Sequence, residues 1–393
     1  MTKSLDRFYQ ELVDEQYFTQ IALDPLAQFG SESQALIGAT LIPERLVEAN
    51  SYVETQVRYR TLPALDATRY SPAQMQKSGH LVGELKVDLG HTDTASELTG
   101  QDHDGMIKLL ENASSTQATA NAIDWVNRTL IRPHIIKNEA QRWQAMALGS
   151  VARNGSNGYL ETVSYHQESG HVLTIPGGTV GVPAGWHDPA YDIMADVSAA
   201  QQVLEDKGYM VRGVYSTGKL ISLMQQNTEI AKRTSRVVVD ATGQITAATG
   251  RVTFAELNAI AQEDGLPSFT KYNAGYETAN GFKRYLDVAD DADYMVFVGS
   301  TNRMWDMATD YVGYTTGTAE NVFVDGAFDP LEGVLGYYGV GRNVGQGASG
   351  RTVMTELQTR KPQGLYGEAY QAGLPVILEP QALCVIKVVR PTP

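Results

Sequence analysis

The residues of this chain best spaced to do chemistry are Gly213-Val-Tyr-Ser-Thr-Gly218-Lys219-Leu220. They match a phosphate-binding loop up to the last position, where backbone N–H groups cradle phosphates and a Lys reaches toward them. A Mg²⁺ held there takes a hydroxyl from the residue after the Lys, and that residue is Leu220. Val214 and Tyr215 also read as a continuing strand. The hydrophobic run Val237-Val-Val-Asp240 ends in an acid but cannot restore the lost metal ligand. Gly345-x-Gly347-x-x-Gly350 has the spacing of a dinucleotide fingerprint, but the chain beyond Gly350 contains no βαβ unit, and turn chemistry explains the glycines.

Other chemistry is weaker still. The seven histidines are scattered, and His166 and His171 flank a predicted turn without any metal-ligand spacing. Asp287, Asp290, Asp291 and Asp293 lack the calcium-loop pattern and read as a solvated loop. Cys384 is the only cysteine, so neither an intrachain disulfide nor a multi-thiolate metal site can form. It falls in a predicted buried strand without a histidine nearby, and no Gly-x-Ser-x-Gly elbow occurs. The expectation is a protein with no catalytic residues, no cofactor and no metal.

Composition agrees with a folded, globular chain. Hydrophobic residues make up 42% and charged residues 19% of 393 positions, too apolar for disorder. The formal net charge of −14 argues against gripping nucleic acid, which needs clustered Lys and Arg. It does not prevent enclosing it. The N-terminal Met-Thr-Lys-Ser-Leu-Asp-Arg-Phe-Tyr has acids and aromatics where a signal peptide has an apolar run, and no apolar stretch reaches membrane-spanning length. A soluble, non-secreted protein is expected, with no membrane partner.

The elements that would position any site can be read from periodicity. Residues 4–20 read as an amphipathic helix. Val53, Thr55, Val57 and Tyr59 alternate with Glu54, Gln56, Arg58 and Arg60, and a second alternating run carries Leu81, Gly83, Leu85, Val87 and Leu89. Two strands joined by so long a connection cannot stand alone in water. They either pad this chain's own core or form an arm lying on a neighbour.

Residues 118–149 predict one long helix, kinked near Pro133 and ended by Gly149. Leu160–Tyr165 and His171–Ile175 predict a hairpin. A helix on Ile193, Val197, Ala200 and Leu204, closed by Gly208, leads to a strand at Tyr209–Tyr215 and a helix capped by Ser216. Thr253 and Glu256 form a capping box for a helix through Ala261. Phe269–Tyr272 and Tyr294–Val298 read as strands. Residues 311–350 read as loops and extended segments. Leu374–Leu378 and a central Leu383–Val389 close the chain as strands.

From Asn138 onward, Asn-Glu-Ala-Gln-Arg-Trp143-Gln-Ala-Met-Ala-Leu148-Gly149 resembles a known family. So do Gly185-Trp186-His187-Asp188-Pro189, the segment Gly213 to Met224, Tyr294 to Thr301, and the ending Gly367 to Leu378 with Cys384–Val389. These are similar to the major capsid protein E family, the lambda-type branch of tailed-phage capsid proteins with the Hong-Kong-97-type fold. The resemblance spans about residues 40–390 and rests on arrangement, since the family has no active site to match.

The resemblance implies an α+β fold in five parts: an N-terminal arm at 1–50, an extended loop or β-hairpin arm at 51–105, and a peripheral domain at 106–190 with spine helix 118–149. An axial domain at 191–340 and return strands of the peripheral domain at 341–393 complete it. It implies hexamers and pentamers of this chain in an icosahedral head of a tailed double-stranded DNA phage. That head encloses the genome without specific binding, assembles in the bacterial host cytoplasm, and has scaffold, decoration and portal proteins as partners. Val57, Arg58, Tyr59, Arg60, Leu85 and Val87 are the candidate inter-subunit contacts. The alternatives are an encapsulin-like nanocompartment shell of the same fold and, least favoured, a phosphate-loop nucleotide hydrolase.

Overall fold

The computed structural model describes residues 36–59, 80–99, 127–154, 160–165, 170–179, 181–234, 238–239, 245–246, 251–279, 281–301, 335–343, 349–358 and 364–392. Helix α1 (Ile37–Leu41) and strand β1 (Glu44–Leu46) lead into β2 (Ser51–Tyr59) and β3 (His80–Asp88), and β4 (Gly90–Thr99) comes immediately after. A π-helical turn at Asn127–Ile131 runs into α2 (Arg132–Leu148), which precedes β5 (Ser150–Asn154), β6 (Leu160–Ser164) and β7 (Val172–Ile175). The middle of the chain alternates: α3 (Ile193–Glu205), β8 (Tyr209–Ser216), α4 (Gly218–Gln226), α5 (Thr228–Arg233) and α6 (Phe254–Glu263). After it come β9 (Phe269–Lys271), β10 (Gly275–Thr278), β11 (Gly281–Arg284) and β12 (Ala292–Thr301). The last strands are β13 (Gly336–Val340), β14 (Thr352–Gln358), β15 (Gly364–Ile377) and β16 (Leu383–Val389).

Two five-stranded sheets organise this α+β fold. One runs β9-β8-β12-β16-β7, with β8, β12 and β16 antiparallel in turn and the outer strands β9 and β7 added in parallel. Met295–Val298 and Leu383–Ile386 are essentially unexposed, the near-continuous apolar pattern of strands covered on both faces. Ile193, Val197, Ala200 and Leu204 of α3, Leu220 of α4 and Leu257 of α6 belong to the same core. Local signals set these helices. Asp192 and Thr217 accept from the backbone N–H groups of Ala195 and Leu220, and Thr253 and Glu256 close a capping box.

The other sheet runs β1-β13-β15-β14, with β4 also on β15. Its 14-residue centre, β15, pairs antiparallel with β14 and β4 along its first half and with β13 along its second. Helix α2 packs on this sheet and stops at Gly149, whose φ of 62° is left-handed and lets the Gly149 N–H reach Ala145 O.

Several expectations change. The hairpin predicted between Leu160–Tyr165 and His171–Ile175 does not form: β6 pairs with β5, and β7 pairs in parallel with β16, about 210 residues later. Turn residues after Tyr165 signalled a chain reversal, but they could not reveal that β16 had a free edge for β7. The helix cap is Thr217, because Ser216 still belongs to β8. Pro133 does not kink a helix interior. It sits in the first turn of α2, where its missing N–H costs nothing, and the π-helical turn precedes it. The strand foreseen at Leu374–Leu378 begins ten residues earlier, at Gly364. Residues 4–20 and 118–126 lie outside the described residues.

Candidate functional site

The phosphate-loop match is a strand followed by a helix. Gly213 to Ser216 pair with β12, and Leu220, where the hydroxyl would be, is fully buried. The Gly218 N–H donates to Asn273 Oδ1 at 2.9 Å, and Lys219 Nζ stands 3.7 Å from Asp293. The acidic run holds this chain's own bases. Arg390 meets Asp293 at 2.8 Å, Lys387 meets Asp291 at 3.1 Å, and Arg284 meets Asp287 at 3.6 Å. His171 Nδ1 lies 2.7 Å from Leu383 O. Burial pushes the Cys384 thiol up to about 12, so it stays protonated and inert at neutral pH. Among the described residues no group of His, Cys, Asp or Glu could hold a metal. Val237, Asp240, Gly345, Gly347 and His166 lie outside them.

Strands β2 and β3 form a ribbon of nine consecutive antiparallel pairs, from Ser51 opposite Asp88 to Tyr59 opposite His80. Among the described residues no third strand joins it. At about 3.4 Å per residue it is about 30 Å long. Residues directly opposite share a face. The register therefore puts Val53, Thr55, Val57 and Tyr59 with Lys86, Glu84, Val82 and His80, and Glu54, Gln56 and Arg58 with Leu85, Gly83 and Leu81. Both alternating patterns are as expected, yet their apolar halves fall on opposite faces. Neither face is wholly polar.

Of the candidate contacts, Val57, Arg58 and Tyr59 occupy the distal end of β2, and Leu85 sits in β3 opposite Glu54. Arg60 lies outside the described residues. Val87 requires correction. It is 3% exposed and packs with Val47, Tyr337, Leu374, Val376 and Leu378 in a small core of this chain, so it anchors the ribbon's root instead of meeting a neighbour. The root is tied further: the Leu89 N–H donates to Asn50 O at 2.8 Å, and Asn50 Nδ2 donates to Arg342 O at 2.7 Å. Gly90, just past the root, packs so closely on Arg153 that a Cβ there would stand 1.9 Å from the guanidinium carbon.

What holds the root's sheet to α2 is a buried charge cluster. Of the 17 residues of α2, ten are buried, and His134, Asn138, Glu139, Gln141 and Arg142 are polar. Glu139, with no exposed surface, accepts from the Gly38 N–H, Trp143 Nε1 and Tyr272 OH, each at 2.8 Å. Only glycine fits at position 38, since a Cβ would stand 2.6 Å from Glu139 Oε1. Burial and the neighbouring Glu139 carboxylate push the Tyr272 hydroxyl upward, keeping it a neutral donor.

Arg142 donates from Nε to Ile42 O at 2.9 Å, faces Glu139 and Glu44, and lies over the Tyr338 ring at 5.0 Å. Arg351 reaches Glu44 at 2.5 Å and Gln371 Oε1 at 2.7 Å. Burial alone would raise the Glu44 carboxyl, but Arg351 and Arg142 outweigh it and hold its pKa below the usual range. Two carboxylates and two guanidiniums balance, so the cluster is neutral as a whole. It joins α1, β1, α2, β13 and β15 with Tyr272 just after β9 and Arg351 just before β14. No sequence signal marked it, because each residue alone reads as an exposed helix or strand position.

No protein-family model matches the sequence. No curated protein matches it either. Solved structures do. One is a candidate capsid protein of a prophage in Escherichia coli CFT073, 11% identical, covering 90% of this chain and 93% of that one at a TM-score of 0.47. Another is from Mycobacterium phage Patience, 11% identical, covering 98% and 88% at 0.42. A third is the holo-encapsulin complex of Synechococcus elongatus PCC 7942, 12% identical, covering 88% and 86% at 0.39.

Proposed function

We propose that this chain is the major capsid subunit of a tailed double-stranded DNA phage. It self-assembles as hexamers and pentamers into an icosahedral head, with no catalytic role. The observation that carries this reading is the ribbon of β2 and β3. It is rooted firmly at Val47 and Val87, yet it extends nine pairs with an apolar half on each face and no partner strand among the described residues. An isolated two-stranded ribbon is marginal in water. Covering by a neighbouring copy removes that instability and makes the arm an assembly device.

This role assigns the residues their parts. Arg58 and its neighbours at the distal end of β2 are the contacts to the next subunit, and the neutral charge cluster fixes the body from which the arm projects. The acidic balance of the chain keeps packaged DNA from sticking to the wall. Scaffold, decoration and portal proteins are the partners such a head uses, and the virion is its location.

Negative-stain microscopy of the purified chain tests the reading. Icosahedral shells are expected; a steady monomer under assembly conditions would overturn it. Small shells of fixed size without DNA would point to a nanocompartment. Arg58→Glu is expected to lower shell yield while leaving the monomer's unfolding transition unchanged, and shells at wild-type yield would remove the arm from the interface.

A further inference from the structure

The ribbon leaves the sheet against an arginine that belongs to another hairpin. Arg153 lies in β5, and its register partner in β6 is Glu161. Arg153 Nη1 donates to Glu161 Oε2 at 2.7 Å, while Nη2 is buried and has no hydrogen-bond partner among the described residues. Only 8% of Arg153 is exposed. A guanidinium so buried carries a desolvation cost that its contacts must offset. What it covers is Gly90, the first residue of β4, where a Cβ has no room.

That position is a joint. Only Leu89 stands between β3 and β4, so the chain passes from ribbon to sheet within one residue. The other strand of the ribbon is tied at the same level, since the Leu89 N–H donates to Asn50 O at 2.8 Å. Gly341, just past β13, adds a second close approach: a Cβ there would collide with Asn50 and Leu89. Asp88, ahead of Leu89, is engaged inside the ribbon by Ser51 and Lys86. The root is therefore packed without slack, and close-packed groups transmit a displacement instead of absorbing it.

The β5–β6 hairpin has an exposed handle at its other end. Leu160 is 77% exposed and directly precedes Glu161, whose side chain is 39% exposed. A contact made on Leu160 acts on the residue that holds Arg153. We infer that Arg153 couples the β5–β6 hairpin to the β2–β3 ribbon, so that the state of the hairpin, passed on through Glu161, sets how firmly the ribbon is held at its root. Arg153 is a positioning residue in this device. The coupling belongs to the single protomer and does not depend on the capsid reading. Linkage is reciprocal, so a change at the root of the ribbon acts back on the hairpin.

Amide hydrogen exchange of the protomer tests both directions. The Val385 N–H, which donates to His171 O at 2.8 Å in the apolar sheet, serves as the reference. Glu161→Gln keeps the side-chain shape and removes the charge that holds Arg153. It should speed exchange of the Leu89 N–H by at least about fivefold and leave Val385 unchanged. In an Arg153→Ser background the same change should have no further effect on Leu89. Asn50→Ala works from the ribbon side, removing the hydrogen bond from Asn50 Nδ2 to Arg342 O. It should speed exchange along β5 from Val151 to Arg153 by at least about twofold. An unchanged Leu89, a Leu89 response that persists without Arg153, or a silent β5 in Asn50→Ala overturns the coupling. Equal acceleration at Val385 would show general destabilisation and overturns it as well.

Discussion

In the sheet β9-β8-β12-β16-β7, Met295–Val298 lie against Leu383–Ile386 beneath Val197, Leu204 and Leu257, and nearly every contact is apolar. In the sheet built on β15, the helix α2 meets its strands through Glu139, Arg142, Glu44, Arg351, Asn138 and Gln371. Apolar packing is non-directional and tolerates changes of shape that conserve volume. A buried charge cluster is directional and fails when any member is lost. The polar cluster joins positions as far apart as Glu44 and Arg351, and it lies in the sheet from which the β2–β3 ribbon departs. The apolar sheet makes a stable lobe; the polar one fixes a geometry.

Four substitutions or conditions would break or sharpen that contrast. The largest effect belongs to Glu139→Ala. It leaves the cluster with two buried guanidiniums against the single carboxylate of Glu44 and orphans three donors, so denaturant unfolding of the protomer should show a loss of about 3–5 kcal/mol. A loss below about 1 kcal/mol would mean the cluster is no keystone.

Acid should act next, through His134. Its Nε2 donates to Ala369 O and its Nδ1 faces Thr92 Oγ1, each at 3.1 Å, tying α2 to β15 and β4. Burial pulls its pKa down to about 4, and Arg351 and Lys137 add to that against the opposing Ala369 hydrogen bond. The unfolded chain, near 6.5, binds the proton first, so stability present above pH 6.5 is lost as pH falls toward 4. The difference between wild type and His134→Gln across that range should reach about 3 kcal/mol at most. Parallel pH curves for the two proteins would rule out this titration.

A smaller effect, about 1–3 kcal/mol, is expected for Gly90→Ala, because the new methyl must displace Arg153 from Glu161. Adding Arg153→Ser should recover most of the melting temperature, and no recovery would place the strain elsewhere. The smallest change should come from the apolar sheet. Met295→Leu conserves volume and should cost under about 1.5 kcal/mol. A larger loss there would erase the contrast between the two sheets.

Much of the fold was legible one element at a time. The Thr253–Glu256 capping box, the Gly149 stop, the strand character of β8 and β12, and the central place of β16 all come from local rules. The ribbon was legible as two alternating runs, but its register was not, and register decides that the apolar halves oppose. The pairing of β7 with β16 escaped because turn residues report a reversal, not a destination. Val87 looked like a surface contact because alternation cannot say which neighbour a buried face meets.

The sequence by itself determined the class of this protein: an α+β chain with one cysteine, an acidic balance, no complete catalytic motif and a ribbon needing cover. Those properties are sums over residues or patterns within a few turns of chain. The tertiary structure alone decided that Glu44, Glu139, Arg142 and Arg351 would neutralise one another in the interior. Charges as far apart in the chain as Glu44 and Arg351 interact only once the fold has brought them within a few ångströms and removed the water between them. Local sequence carries no signal of that meeting.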